Sequence, residues 1–380
     1  MFLQHVRVLG PAGLSTPQTV EVNAEGAEDR DATGLVLSPG WMDLHAHLRD
    51  PGFPQKETLL SGATSAAVGG ITHVLAMANT NPVTDRADRL QSLLMRSEAL
   101  PIRISFVGAV TIGLEGRQLT DAVALKAAGA VALSDDGRHA MDRVMFGSAL
   151  EAAAVAGLPV LVHAQAEPLG DGPEAEAVAV TDALDALRDV KAARLHIQHV
   201  STRMAVDLIR AAKSDGLAVT AEATPHHLAL SSRDVWAMGP HGNVNPPLRS
   251  PDDRDALCEA LVEGVIDAIA TDHAPHELAA KQAGANGFHG FETAVGVVLG
   301  LGLDGRTVYR ATVSRPREIA GQSLEDEWIL IDPNAEWRVD ASSFRSRGKN
   351  TPFQGRRVRG RVIMTICRGQ VVTERVMQHA

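Results

Sequence analysis

The chain has 380 residues, a formal net charge of −10, 45% hydrophobic and 22% charged residues, and only 3% aromatic ones. That balance fits a soluble globular protein, with length for one large domain plus an appendage or for two to three smaller domains. An acidic chain this poor in aromatic rings lacks the basic surface and stacking side chains of a nucleic-acid binder.

The N-terminal stretch MFLQHVRVLGPAG has no apolar core of signal-peptide length. Residues 149–166, the most apolar stretch, are broken by Glu151, Gly157 and Pro159 and are too short to cross a bilayer. Cys258 and Cys367 cannot build a disulfide framework, which points to a reducing, cytoplasmic location.

Residues 1–38 read as short strands separated by turns. From there to about residue 275, apolar runs ending in polar or turn residues alternate with Ala/Leu-rich stretches of helical length. The runs are GLVLSPGWMDLHAH, THVLAMANT, RISFVGAVT, GAVALSDDG, LPVLVHAQ, RLHIQHVS, LAVTAEATPHH and VIDAIATDHAPH. Helices are predicted over 57–69, 85–98, 118–128, 142–156, 202–215 and 251–263. Strand–helix alternation argues for parallel strands, and eight units over roughly 250 residues match an α/β fold of the (β/α)8 TIM-type barrel class. An open doubly wound sheet would show a glycine-rich phosphate loop after its first strand, and none is present. Residues 328–380 return to strand-like patterns in EWILIDP and RRVRGRVIMTICRGQVV. The simplest division is 1–38 and 328–380 as one small β-domain beside a barrel over 39–327. The basic stretch FRSRGKNTPFQGRRVRGR reads as a solvated loop, and tryptophans 41, 236, 328 and 337 read as packing residues.

In a barrel of this class function sits at the C-terminal ends of the strands. Those ends carry His45, His47 and Arg49, then Asn79, Asp135 and Asp136, His163, His199, His226 and His227, and finally Asp272, His273 and His276. A single histidine there is more often structural than a ligand, and a single aspartate often caps the next helix. The coincidence at several strands on one rim argues for a metal centre. Residues i and i+2 of a strand share a face, so His45 and His47 can grip one cation. His163 and His199 can hold a second, a strand-4 carboxylate can bridge the two, and Asp272 closes the first site. If the small residues Ala132, Ser134, Ala268 and Ala270 face the interior, Asp136 rather than Asp135 is the ligand. Imidazole and carboxylate donors without thiolate suit zinc, with manganese and cobalt as alternatives. His226 and His227 read as structural. His196, three residues before His199, faces the other way on a strand, and neither it nor His273 or His289 receives a role.

The motifs DLHAHLRDPG, MANTNPVTD, SDDG, AEATPHHL, NPPLRSPDDRDAL, IATDHAPH and GKNTPF, in this order from about residue 40 to 355, resemble bacterial class I dihydroorotases of the amidohydrolase superfamily. The resemblance implies a zinc-dependent cyclic amide hydrolase that interconverts N-carbamoyl-L-aspartate and L-dihydroorotate. It places metal ligands on His45, His47, Asp136, His163, His199 and Asp272, with Asp272 also catalytic as the proton carrier. Substrate contacts fall on His47, Arg49, Asn79, Asn245 and His276 and on the loop around Asn286 and Gly287. Two Zn2+ per subunit are implied, one of them held more weakly because aspartate replaces the carboxylated lysine that hydantoinases use at strand 4. The stretch between His163 and His199 and the loop after His276 are short for the family. The expected partners are a small anionic substrate and a second copy of the chain in a homodimer, with no nucleic acid and no membrane. A complex with aspartate carbamoyltransferase, a hydantoinase- or allantoinase-like activity, and a non-catalytic scaffold for that transferase are the alternatives.

Overall fold

The computed structural model describes residues 1–138 and 142–375. Eight parallel strands form the central sheet: β1 (Trp41–Ala46), β2 (Ile71–Ala76), β3 (Arg103–Gly108), β4 (Ala132–Leu133), β5 (Val160–Val162), β6 (Leu195–Ile197), β7 (Val219–Ala223) and β8 (Ala268–Ile269). They pair in sequence order, and the sheet closes on itself where Ala46 bridges His273 and the His47 amide donates to the His273 carbonyl at 2.7 Å. Asp43 adds to the seam by accepting from the Thr271 amide (3.0 Å) and hydroxyl (2.5 Å), and burial pushes its carboxyl up to about 7. The strands are buried and apolar on both faces, as parallel strands covered by helices must be. All eight predicted runs contain a barrel strand.

The interior holds Met42, Leu44, Leu75, Met77, Val107, Ala132, Leu161, Ala268 and Ala270, and Ile319 and Ala320 close its lower end. Strict alternation would put Leu44 and His45 on opposite faces of β1. Between Asp43 and Ala46, however, β1 carries one residue more than β2, since Asp43 pairs with Val74 and Ala46 with Ala76. Such a bulge resets the alternation and re-aims side chains. Leu44 therefore fills the interior while His45 also reaches across the barrel.

The six predicted helices are present, as Leu59–Val68, Ala87–Ser97, Ala122–Ala127, Arg143–Ala156, Arg203–Ser214 and Pro251–Glu263. The last starts on a capping box between Ser250 and Asp253 with proline in its first turn, and it ends on left-handed Gly264 (φ 84°). A seventh, Pro173–Asp189, lies between β5 and β6 and is the longest, although no helix is predicted there. Nine of its positions are buried, five of them alanine, so its buried stripe is too broad to read as a clean helical period.

The termini meet in a second, mixed sheet. Phe2–Gly10 pairs in parallel with Val36–Pro39, which pairs antiparallel with Glu327–Arg338, followed by Arg357–Cys367 and Gln370–Glu374. The basic stretch read as a solvated loop is instead a strap seated on the barrel mouth. Phe344, Ser346, Asn350, Thr351 and Phe353 are buried, Ser346 and the Arg347 amide donate to Glu57, and Asn350 Nδ2 donates to the His276 carbonyl at 2.6 Å. Within the stretch predicted as the C-terminal part of a β-domain, the strap thus leaves the sheet, and residues 376–380 lie outside the described residues. Trp41 is buried and Trp328 and Trp337 are partly so, but Trp236 stands 94% exposed on a short helix, Ser232–Met238, and does not pack. Among the described residues no helix is long and apolar enough to cross a membrane.

Candidate metal centre

The bulge at the end of β1 brings His45 beneath the mouth and His47 to its floor. His45 Nε2 lies 3.3 Å from Asp136 Oδ1 and 3.6 Å from Asp272 Oδ1, while His47 Nε2 lies 3.3 Å from Asp136 Oδ2 and 3.1 Å from Asp272 Oδ1. His163 Nδ1 and His199 Nε2 are 2.8 Å apart and approach the same Asp136 Oδ1 at 3.6 and 3.9 Å. All six side chains are buried. Two backbone positions that deliver them are strained: His199 and Asp272 are non-glycine residues with φ of 32° and 47°. Such left-handed conformations cost on the order of 1–3 kcal/mol each and cluster at functional sites.

The two groups His45–His47–Asp136 and Asp136–His163–His199 each gather donor atoms within 4.8 Å of one another and could hold a metal ion. Two observations fit a cation there. Asp136 Oδ1 is buried without a hydrogen-bond partner although three imidazoles, those of His45, His163 and His199, approach it. The donors are neutral-nitrogen and carboxylate types, with no thiolate. Burial opposes ionisation of Asp136, yet His45, His163 and His47 hold its carboxyl well below the usual range. Burial and the neighbouring His163 and His45 push His199 well below the usual imidazole range, so it presents a lone pair.

The choice between Asp135 and Asp136 has a geometric counterpart. Ala132, Ala268 and Ala270 face the interior, and Asp136 and Asp272 continue those faces to the mouth. Asp135 points away and accepts from the Val110 and Thr111 amides at 2.8 and 3.0 Å, fixing the loop after β3.

Above the centre lies a cavity of about 270 Å³, lined by every one of the six except His45 and also by Arg49, Asn79, Gly137, Asn245, Ala274, Asn286 and Gly287. Asn79 Oδ1 sits 2.9 Å from His47 Nδ1 and fixes that ring. Arg49, another left-handed residue (φ 58°), is half-buried, and its Nη2 reaches His276 Nε2 at 3.4 Å. Burial and the Arg49 charge push His276 down to about 3, so it faces the guanidinium as a neutral acceptor. Gly287 (φ 101°) must be glycine, because a Cβ there would lie 2.7 Å from Ala274 Cβ and 2.9 Å from its carbonyl oxygen.

Several contributors were not singled out from the sequence. Glu222 on β7 is fully buried; its Oε1 lies 2.7 Å from His45 Nδ1 and its Oε2 3.0 Å from His196 Nε2. His196 therefore supports the ring of His45 through Glu222, and the reading that it turns away from the centre is corrected: His199 lies past the strand, where its positive φ breaks the alternation. Gln165 Oε1 accepts from Asn245 Nδ2 (2.7 Å) and lies 3.1 Å from His163 Nε2, joining a pocket residue to a ring of the centre. Thr220, Glu222 and Thr224 alternate with the outward Val219, Ala221 and Ala223, so a glutamate in an inward series was the available signal. His227 donates through Nε2 to the Pro246 carbonyl at 3.1 Å, next to Asn245, and His226 packs tilted against His227 and edge-on against Phe288. His273 stacks on Phe291 and lies 3.3 Å from Glu57, and His289 bonds Ser65 at 2.8 Å; both lie behind the mouth.

Comparison with known proteins bears on this geometry. Residues 34–186 match a family model described as dihydro-orotase-like. The chain is 41% identical to a dihydroorotase of Anaeromyxobacter dehalogenans strain 2CP-1, over 98% of both chains, and 37% identical to a dihydroorotase of Thermus aquaticus, over 98% of this chain and 99% of the relative. Among solved structures it resembles the L-hydantoinase (dihydropyrimidinase) of Arthrobacter aurescens, with a TM-score of 0.88, 25% identity and coverage of 98% and 96%. It shares the fold of the dihydropyrimidinase of Brevibacillus agri, with a TM-score of 0.83, 21% identity and coverage of 98% and 95%.

Proposed function

The chain belongs to the dihydroorotase family, and on that premise we propose that it catalyses the reversible cyclisation of N-carbamoyl-L-aspartate to L-dihydroorotate in pyrimidine biosynthesis. The observation that supports this most is the meeting of four histidines and two aspartates with one arginine at a single barrel mouth. In this reading two Zn2+ are held per subunit, one by His45, His47 and Asp272 and one by His163 and His199, with Asp136 between them. When bound, zinc supplies Lewis-acid polarisation of the ring carbonyl and ionises water near neutral pH.

The chain's own residues divide the remaining work. Arg49 pairs its guanidinium with the substrate carboxylate, which a planar fork does better than a point charge. His276 holds that guanidinium and adds a contact of its own. Asn79, Asn245 and the backbone around Asn286 and Gly287 orient the ring, and His47 borders it. In the hydrolytic direction a C–O bond forms at the ring carbonyl and the C–N bond breaks. Asp272 takes the proton of the attacking water and returns it to the leaving nitrogen. Cyclisation runs the same transfers backward.

A hydantoinase-like activity is the nearest rival. Arg49 together with an aspartate, not a lysine, at the end of β4 favours a carboxylate-bearing ring. A homodimer, a cytoplasmic location and a division at 38/39 and 327/328 belong to the same proposal, with an aspartate carbamoyltransferase complex as its alternative. The test is turnover of dihydroorotate, hydantoin and allantoin by one preparation with zinc measured in parallel. Dihydroorotate should be turned over fastest at about two zinc per chain. A zinc-replete protein inert toward dihydroorotate, or faster on hydantoin, would overturn the assignment.

A further inference from the structure

A second cavity, of about 220 Å³, opens where the barrel meets the terminal sheet, and it shares no lining residue with the metal centre. Arg345 of the strap, Arg361 of the strand Arg357–Cys367, and Arg375 converge on it. Among the described residues none of the three guanidiniums donates a hydrogen bond or pairs with a carboxylate. Arg361 lies over the Trp337 ring at 5.1 Å, and its Nε is buried without a partner.

The two carboxylates on the rim do not neutralise this cluster. Glu374 pairs with Arg30 at 2.8 Å. Glu292 spends Oε1 on the Ser65 hydroxyl (2.9 Å) and the Arg345 amide (2.5 Å), with His289 Nε2 at 3.6 Å. Burial, with Arg361 and Arg345 alongside, pulls the Arg375 guanidinium below its ordinary range, and the nearby Glu292 opposes this only in part. A buried donor without a partner is unfavourable unless an acceptor completes it, and three guanidiniums around one hollow offer an anion charge-assisted contacts.

We propose that this cavity is an anion site for the phosphate group of a small molecule, separate from the centre that carries the reaction. Guanidinium forks match phosphate oxygens in pairs, and the hollow has room for a phosphate and its first waters. The charge for the site comes from this chain alone, so it forms in the monomer.

Calorimetric titration of inorganic phosphate into the full chain at low ionic strength tests the assignment. Wild-type protein and the Arg49→Ala variant, which removes the anion contact at the metal centre, should both bind. Arg361→Ala should bind roughly ten-fold more weakly or worse, the loss of one charge-assisted contact, while its dihydroorotate turnover stays unchanged. Added salt should weaken binding to the wild type. Arg345→Gln, at the exposed rim, gives the same readout should Arg361→Ala fail to fold. A nucleoside triphosphate titrated alongside identifies the source: tighter binding than phosphate assigns the site to a phosphate ester, and weaker binding assigns it to the free ion. No phosphate binding, or binding abolished by Arg49→Ala and kept in Arg361→Ala, would overturn the proposal.

Discussion

Glu222 Oε1 lies 2.7 Å from His45 Nδ1, with both side chains fully buried. The contact fixes Nδ1 as a donor and turns Nε2 toward Asp136 and Asp272; burial opposes the charged ring, yet Asp136, Asp272 and Glu222 hold it well above the usual imidazole range. Burial opposes ionisation of Glu222, but His45 and His196 bring its carboxyl down to about 2, so it stays charged across the physiological range. Carboxylates behind metal-binding histidines typically change affinity about 10- to 100-fold when removed. Glu222→Gln should therefore release zinc to a chelator at a correspondingly lower concentration, with the fold intact by circular dichroism. An unchanged chelator midpoint would mean that His45 needs no such support.

Asp272 stands where one carboxylate touches both His45 and His47 and lines the cavity. Asp272→Asn keeps the shape and one donor oxygen but cannot carry a proton. Turnover of dihydroorotate should drop by about 10²–10⁴-fold, the usual weight of general acid–base catalysis, while most of the zinc is retained. Activity within a few-fold of wild type would remove Asp272 from the proton-transfer role.

Arg49→Lys tests how the substrate carboxylate is held. Lysine keeps the charge and loses both the fork and the reach to His276. The Michaelis constant for dihydroorotate should rise about ten-fold or more, with a smaller change in the turnover number. The reverse pattern would place Arg49 in the chemical step.

Lys281 is a fully buried lysine on a short helix, Leu278–Gln282, in the loop between His276 and Gly287. Its Nζ donates to the carbonyls of Asn243 (2.7 Å) and Ala285 (2.9 Å), and the Gly287 amide donates to the same Asn243 carbonyl at 3.0 Å. One side chain thus ties the segment carrying Asn245 to the segment carrying Asn286. Burial lowers its ammonium to about 8, which leaves it mostly charged at neutral pH. Lys281→Met matches its length but strands those carbonyls, a loss of about 2–3 kcal/mol. The melting temperature should fall and the Michaelis constant should rise more than the turnover number falls. A variant that melts earlier with unchanged kinetics would confine Lys281 to stability.

The barrel was legible because each of its strands is short, apolar and followed by a helix-length stretch, and because closure gathers the strand ends whatever the loops do. Period-2 spacing pairs His45 with His47, and strand order sets Asp272 beside them, but the bulge in β1 and the positive φ of Asp272 decide where these side chains point. Glu222 and Lys281 were not found, because an isolated acidic or basic residue in sequence gives no sign of being buried; only the packing of β7 behind β1, and of the 277–287 loop on Asn243, shows it. The strap over 344–353 was misread for a related reason. Its arginines face outward while Ser346, Asn350 and Thr351 are buried, and composition records only the former. The bulge in β1 is likewise invisible to alternation, although it is what lets Leu44 and His45 both serve the inside.

His73 gives the last prediction, at the opposite end of the barrel from the metal centre. It is buried on β2, its Nε2 2.8 Å from the Ser105 hydroxyl, and its Nδ1 has no partner. Burial, with Arg103, Arg317 and Arg368 nearby, lowers its imidazole to about 3. Glu327, which accepts from Arg317 at 2.8 Å, is the carboxylate that balances this group of cations. The unfolded chain binds a proton on this ring below about pH 6.5, whereas the folded chain does not until near pH 3. Above pH 6.5 both states hold a neutral ring and His73 adds no pH dependence. As pH falls from 6.5 the unfolded state gains protons that the native state refuses, so stability is lost, by about 2–3 kcal/mol at pH 4.5. His73→Gln removes the titrating ring and keeps a polar group for Ser105. Its melting temperature should fall less than that of the wild type between pH 7 and 4.5, even if it starts lower. Parallel decline of the two proteins would show that the ring is charged in the native state, against the burial that surrounds it.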